Sequence, residues 1–332
     1  MRTRLLALAL CCATPSLAND TMAELGNGGL VFVNSDMVEM EREDLSISPL
    51  EVRVAYVFRS RSDEDIETLV AFPMPEIKGD PEVAVAVPDA GDDNMMHFEV
   101  EIDGRSLAPR LEQRAFAVTL DITADLRAAG VPLNPFSPAA AEAVAALAQE
   151  VKDDWTVRGI LYREVSGENG DMAATYLPYW SMRSTYWWRM VFPANGRVEV
   201  RHRYEPSVGG AGGVLFFQDG RPVEPDHQRY KAKYCLDEPF MNAVRRIARQ
   251  NGGNLPHVET WMSYVLTTGA NWTGSIGEFT LTVDKLDQRN LVSFCGENIR
   301  KVGPTTFETK VKDFYPERDL DILLLQPLDT AE

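Results

Sequence analysis

Apolar and polar positions alternate with a period of two through much of the first third of the chain. Val52, Val54, Tyr56 and Phe58 alternate with Arg53, Ala55, Val57 and Arg59, which predicts a strand with one wetter face. "IETLVAFPMP" follows across the polar turn 60–65, and the pair predicts an antiparallel hairpin. Phe98, Val100 and Ile102 alternate against charges before an Asp103-Gly104 turn.

The period then lengthens. Ile122, Leu126 and Ala129 are at helical spacing, and Gly130 stops the run. "SPAAAEAVAALAQEV" has Ser137 as N-cap and Pro138 in the first turn. A helical insertion over about 121–155 is predicted inside a β-rich unit. Glycines 209, 210, 212 and 213 interrupt the pattern, and 209–213 is read as a linker. Val214 to Phe217 reads as strand, so a phosphate-binding loop, which needs a helix there, is not supported. One helix is predicted over about 238–250, capped by Asp237, with Phe240, Val244 and Ile247 as its apolar stripe. Short strand patterns then return: "ETWMSYVLTTG", "GEFTLTVD", "NLVSFC", "TTFETKVKDF" and "LDILLLQP".

The stretch "YLPYWSMRSTYWWRMVFP", residues 176–193, concentrates aromatic rings. "STYWWRMVF" reads as a strand, joined through Pro193-Ala194-Asn195-Gly196 to "RVEVRHRY". A bulged hairpin with Gly196 in the left-handed position sets Phe192 against Val198, Met190 against Val200, Trp188 against His202 and Tyr186 against Tyr204. That register gathers the apolar residues on one face, at about 1.5–3 kcal/mol for each buried side chain. Tyr186, Trp188, Met190 and Phe192 are thus predicted core. Trp187 is left on the far face beside Arg201 and Arg203, where a cation–π contact is expected. Tyr176, Tyr179 and Trp180 show no clean alternation. These three and Trp187 are the ligand-binding candidates, against the plainer reading that the helical insertion packs on them.

Composition adds a compartment. The chain opens with Arg2 and Arg4, a short apolar run from Leu5 to Cys12 and the small-residue site Ser16-Leu17-Ala18. This predicts a signal peptide, residues 1–18, cleaved after Ala18, and hence a periplasmic or secreted protein. No later segment reaches about 18 uninterrupted apolar residues, so no membrane span is expected. A formal charge of −17 leaves no basic footprint for nucleic acid or anionic lipid. Beyond the leader only Cys235 and Cys295 remain, and an even pair in an exported protein predicts a disulfide.

Chemical motifs are sparse. Asp44, Ser46 and Ser48 match the D-x-S-x-S pattern of a Mg²⁺ adhesion site, but their flanks are strand-like and no helix follows. "PDAGDDN" at 88–94 clusters acids at spacings that match no EF-hand loop. His97, His202, His227 and His257 show no zinc spacing, and no G-x-S-x-G elbow occurs. Asn271-Trp272-Thr273 is a glycosylation sequon, with Trp272 read as a hairpin-tip or corner aromatic. No catalytic residue, metal or cofactor is predicted.

Several segments carry a resemblance: "NDTMAELGNGGLVFVNSDMVEMEREDLSISPLEVRVAYVF", "TLVAFPMPEI", "YVLTTGANWTGSIGEFTLTVDK", "VSFCGENIRKVGPTTFE" and "DLDILLL". They resemble a family of bacterial exported proteins known as domain of unknown function 4424, over about residues 19–327. It implies an extracytoplasmic protein and carries no catalytic residues. "YVFRSRSDEDIETLVAFPMP", "VEIDGRSL" and "GRVEVRHRYEP" are also similar, more weakly, to the β-sandwich of inter-α-trypsin inhibitors. The helical insertion departs from that pattern.

The sequence therefore predicts a mainly β protein with two antiparallel β-sandwich-like domains. The first spans 19–208 with its insertion. The second spans 214–328 with one short helix at its start and the Cys235–Cys295 staple. The expected function is a non-enzymatic binding or scaffold protein of the cell envelope, whose partner is an envelope protein or a glycan. The alternative is a carboxylate-dependent hydrolase of glycans, in which the exposed aromatics act as sugar platforms.

Overall fold

The computed structural model describes residues 21–26, 29–167 and 172–328; the predicted signal peptide lies outside them. The chain is mostly β, as expected. One eight-stranded sheet runs in the order 300–301, 306–314, 276–284, 38–47, 52–60, 197–204, 99–102, 105–107. Its inner face carries Val54, Tyr56, Phe58, Val200, Tyr204, Phe279 and Leu281. Part of that face packs on a seven-stranded sheet through Val70, Phe72, Tyr186, Trp188, Met190 and Phe192. The rest packs on a five-stranded sheet through Met262, Tyr264, Phe294, Ile322 and Leu324.

Strand faces follow the sequence pattern, but strand partners do not. Along Val52–Ser60 every second residue is buried, and along Ser181–Phe192 the expected four, Tyr186, Trp188, Met190 and Phe192, point inward. The hairpins predicted across 60–65 and across 193–196 do not form. Val52–Ser60 and Ile66–Pro73 lie in different sheets, as do Ser181–Phe192 and Arg197–Tyr204. Each turn instead carries the chain across the gap between the layers. Val52–Ser60 pairs with Arg197–Tyr204 in one sheet, and Ile66–Pro73 pairs with Ser181–Phe192 in the other. The two arches are bonded side by side. The Ser60 amide donates to Gly196 O at 2.9 Å, Asn195 N to Ser62 O at 2.8 Å, and Ala194 N to Asp65 Oδ1 at 2.8 Å. Asn195, not Gly196, takes the left-handed backbone, with φ at 52°.

Trp272 is buried rather than at a tip. Its ring lies 4.6 Å from Phe58 and 5.7 Å from Phe192, one from each arch, and so plugs the space they enclose. The Asp103-Gly104 hairpin does form, with both residues at positive φ.

The boundary at 209–213 does not separate two sandwiches. Ile276–Asp284 pairs with Val38–Ile47 inside the eight-stranded sheet, and that pairing is parallel rather than antiparallel. One core cluster joins residues from both sides of the boundary. Glycines 209 and 210 sit in a strand, Val208–Ala211, bonded between Ala84–Ala86 and His257–Tyr264. Gly209 is needed there because a Cβ would overlap the Trp261 indole.

The insertion contains helices Thr123–Ala128, Pro138–Ala146 and Gln149–Val157, then a hairpin of Leu161–Ser166 with Ala173–Pro178. Ser137 holds the N-cap position without a side-chain bond. The Glu238–Gln250 helix matches expectation, and Asp237 accepts from Phe240 N at 2.8 Å. Met241 and Ala248 join Phe240 and Val244 on its buried face, while Ile247, the third residue of the expected stripe, is only partly buried. A second helix, Asp226–Tyr234, was not expected. Both pack on the outer side of the five-stranded sheet, against Leu323 and Leu325.

Candidate functional site

The four aromatic candidates do not converge. Trp180 is fully buried against Ala115, Leu126 and Ile160, and its indole N–H donates to Leu133 O at 2.8 Å. It anchors the helical insertion and has no face free to stack on a ligand. Tyr176 is half-buried under the same insertion, and its hydroxyl accepts from Gln149 Nε2 at 2.7 Å. The Lys78 ammonium lies 4.0 Å above the Tyr179 ring, and Tyr162 flanks it at 5.8 Å. Trp187 is on the outer face of the seven-stranded sheet, packed on Leu69 and Ala71. Its cation is Arg110, 5.0 Å away, not Arg201 or Arg203, which belong to the other sheet. Six residues of strand hold Trp187 roughly 20 Å from Ser181, well away from Tyr179.

The polar motifs take structural roles. Asp44 and Ser46 project from the outer face of Val38–Ile47, with Asp44 paired to Arg42 at 3.1 Å. Ser48 Oγ accepts from the Glu51 amide at 3.1 Å. In the 88–94 loop, Asp89 accepts from Gly91 N and Asp92 from Asn94 N, while Asn94 accepts from Phe98 N and the Tyr186 hydroxyl. His97 pairs with Glu205 at 3.0 Å, and His202 is buried among Tyr56, Phe72, Phe98 and Trp188. Among the described residues no group of three His, Cys, Asp or Glu side chains could hold a metal. The disulfide forms as expected between Cys235 and Cys295, with Cα atoms 5.0 Å apart.

Several depressions mark the described residues, and two of them bear on binding. One is an open groove of about 510 Å³ on the outer face of the eight-stranded sheet, with Ala55, Ser46, Thr280 and Thr282 among its lining. Its guanidinium groups are already matched: Arg203 to Glu99 at 3.0 Å, Arg201 to Glu199 at 2.6 Å, and Arg53 to Glu51. A ligand there would compete with pairs formed in full solvent.

The other depression is a pocket of about 400 Å³ where the eight- and five-stranded sheets part. Thr306–Phe314 ends in one sheet and Leu320–Pro327 begins in the other, and the link 315–319 crosses between them. Leu266, Phe279, Leu281 and Leu320, all core residues, form apolar parts of its lining. Phe314 stacks on Phe279 with centroids 4.3 Å apart, and Tyr315 at the same site is 57% exposed. Asp319 accepts from Thr267 Oγ1 at 2.8 Å and Thr267 N at 3.2 Å. Burial pushes its carboxyl above the ordinary aspartate value, against those two bonds, which pull it down. Arg318 turns to the end of the Asp226–Tyr234 helix, donating to Lys233 O at 2.9 Å and Ala232 O at 3.2 Å. The disulfide ties Cys295, on the opposite wall, to the same helix end.

An apolar lining with a few polar groups is the common make-up of a small-molecule site. Sequence reading passed over it. Its signal was "DFYPERD", 313–319, two aromatics and a proline among charges between two confident strands.

Among solved structures, the chain is similar to one from Legionella pneumophila subsp. pneumophila str. Philadelphia 1 described as "a putative nutrient binding protein". The match has 14% identity and a TM-score of 0.42, and covers 92% of this chain and 69% of that one. No curated protein matches the chain. Neither finding carries the likeness to inter-α-trypsin inhibitors. Residues 18–323 match the family described as Domain of unknown function (DUF4424), and the chain belongs to that family.

Proposed function

We propose that this is a non-enzymatic binding protein of the cell envelope whose ligand occupies the pocket between the eight- and five-stranded sheets. The observation that carries the reading is the pocket's make-up: core side chains in its lining, an exposed aromatic beside them and a half-buried carboxyl held by Thr267. The envelope assignment is supported by the leader-like residues 1–18 and the Cys235–Cys295 bond. Among the described residues no helix is long and apolar enough to cross a membrane.

A ligand at a hundredfold excess over its Kd stabilises the fold by about 2.7 kcal/mol. Thermal shift and calorimetry against a panel of envelope metabolites and short glycans should therefore find a stabilising ligand. Val311→Trp, which fills the pocket from a lining position, should abolish its binding while the free protein keeps its melting midpoint. A ligand that binds the Val311→Trp variant unchanged would refute the assignment.

A second reading, a carboxylate-dependent hydrolase of glycans, is favoured by one observation. Asp319 carries a raised carboxyl with Asp313 and Glu317 around the same pocket, as a general acid with a neighbouring base requires. Product formed from a glycan panel by the natural chain, and lost in Asp319→Asn, would select that reading.

A further inference from the structure

We infer that the pocket between the two sheets takes a small organic cation, an amine or quaternary ammonium with an apolar body. This rests on the reading of that pocket as the binding site. Glu297, Asp313, Glu317 and Asp319 line it against one base, Arg318. That base is already engaged by Ala232 O and Lys233 O, carbonyls at the negative end of a helix. An anion entering the pocket would face the carboxylates without a free guanidinium to offset them. A cation meets complementary charge, and it also offsets what burial costs the Asp319 carboxylate.

The remaining lining says which kind of cation. A hard metal ion wants six to eight converging oxygens. Here the acids are spread around Leu266, Phe279, Leu281 and Leu320, which offer no oxygen ligands. An alkylated or aromatic ammonium gains from both kinds of surface. Its carbon body removes apolar area from water, and its charge is attracted to ring faces as well as to carboxylates. Phe314 and the exposed Tyr315 supply the rings. A volume of about 400 Å³ is at the small end of ligand sites, which favours a single small molecule over a polymer.

The test is calorimetric titration of the full disulfide-bonded chain with three probes of similar size: benzyltrimethylammonium, benzyl alcohol and benzoate. Benzyltrimethylammonium should bind and benzoate should not. Asp319→Asn keeps an acceptor for Thr267 but loses the charge, and should weaken the cation by at least about tenfold. Tyr315→Ala should weaken it without changing the melting midpoint. If benzyl alcohol or benzoate binds as well as the cation, and Val311→Trp blocks them, the pocket stands and the cation inference falls. If none of the three binds and the wider panel also yields no pocket ligand, both fall.

Discussion

Replacing Cys235 and Cys295 with alanine removes a crosslink between residues 60 apart in sequence. Closing a loop of that length restricts the unfolded chain by about 4 kcal/mol at 25 °C on the chain-entropy model. At about 2.1 cal/mol/K per residue, unfolding entropy for a chain of 332 residues is roughly 0.7 kcal/mol/K. The melting midpoint should therefore fall by roughly 6 °C. A backbone effect is superimposed. Cys235 ends the Asp226–Tyr234 helix with φ 55° and ψ 48°, the left-handed region that disfavours alanine and suits glycine. Cys235→Gly with Cys295→Ala should thus be about 1 kcal/mol more stable than the double-alanine variant. Differential scanning calorimetry without reductant measures both differences. A midpoint within about 1 °C of the natural chain would refute the loop reasoning. A glycine variant no more stable than the alanine one would refute the backbone reasoning.

Two further predictions concern the cluster under the two helices. Gly209→Ala forces the Trp261 indole off the Val208–Ala211 strand and should cost about 1–3 kcal/mol, read by urea denaturation together with a change in tryptophan fluorescence; an unchanged spectrum would mean that the indole is not seated there. Glu259 is almost fully buried, accepting from the Tyr230 hydroxyl at 2.5 Å and Leu215 N at 2.7 Å, and burial holds its carboxyl above the ordinary 4.5. A raised folded value means the fold prefers the protonated form. This group's contribution is therefore best below pH 4.5 and is lost as pH rises through the raised value. The stability of Glu259→Gln relative to the natural chain should improve over that rise in denaturation curves taken from pH 4 to 8, and parallel curves would sink the argument.

Much of the fold was legible because side-chain alternation reports directly on burial. Val52, Val54, Tyr56 and Phe58, and the inward set of Ser181–Phe192, were readable from period alone. Partners were not, because alternation fixes a strand's face and says nothing of which strand lies beside it. Pro193-Ala194-Asn195-Gly196 looks like a hairpin loop locally, yet the bonds from Ala194 and Asn195 go to the turn 60–65 more than a hundred residues away. The glycines at 209–213 misled for a related reason. They read as flexibility, whereas Gly209 marks a close approach to Trp261. Of the candidate aromatics, Trp180 follows the plainer of the two readings its sequence offers, packed by the helical insertion; local pattern alone does not choose between that and a ligand platform. The pocket was hidden because its walls come from distant parts of the chain and only the segment 313–319 hints at it locally.

The paired arches bear on the order in which this protein can assemble. Each strand of the first arch has one edge paired nearby in sequence, Val52–Ser60 with Val38–Ile47 and Ile66–Pro73 with Thr21–Gly26, but its other edge bonds to the strands on either side of 193–196. Loop-closure entropy must be met before any of these contacts rewards it, which slows folding. A chain emerging from its N-terminus therefore exposes Val54, Tyr56, Phe58, Val70 and Phe72 until residues 181–204 arrive, with the whole helical insertion synthesised in between. Over that interval the nascent protein presents unpaired strand edges and a bare apolar face, and its yield depends on whatever shields them.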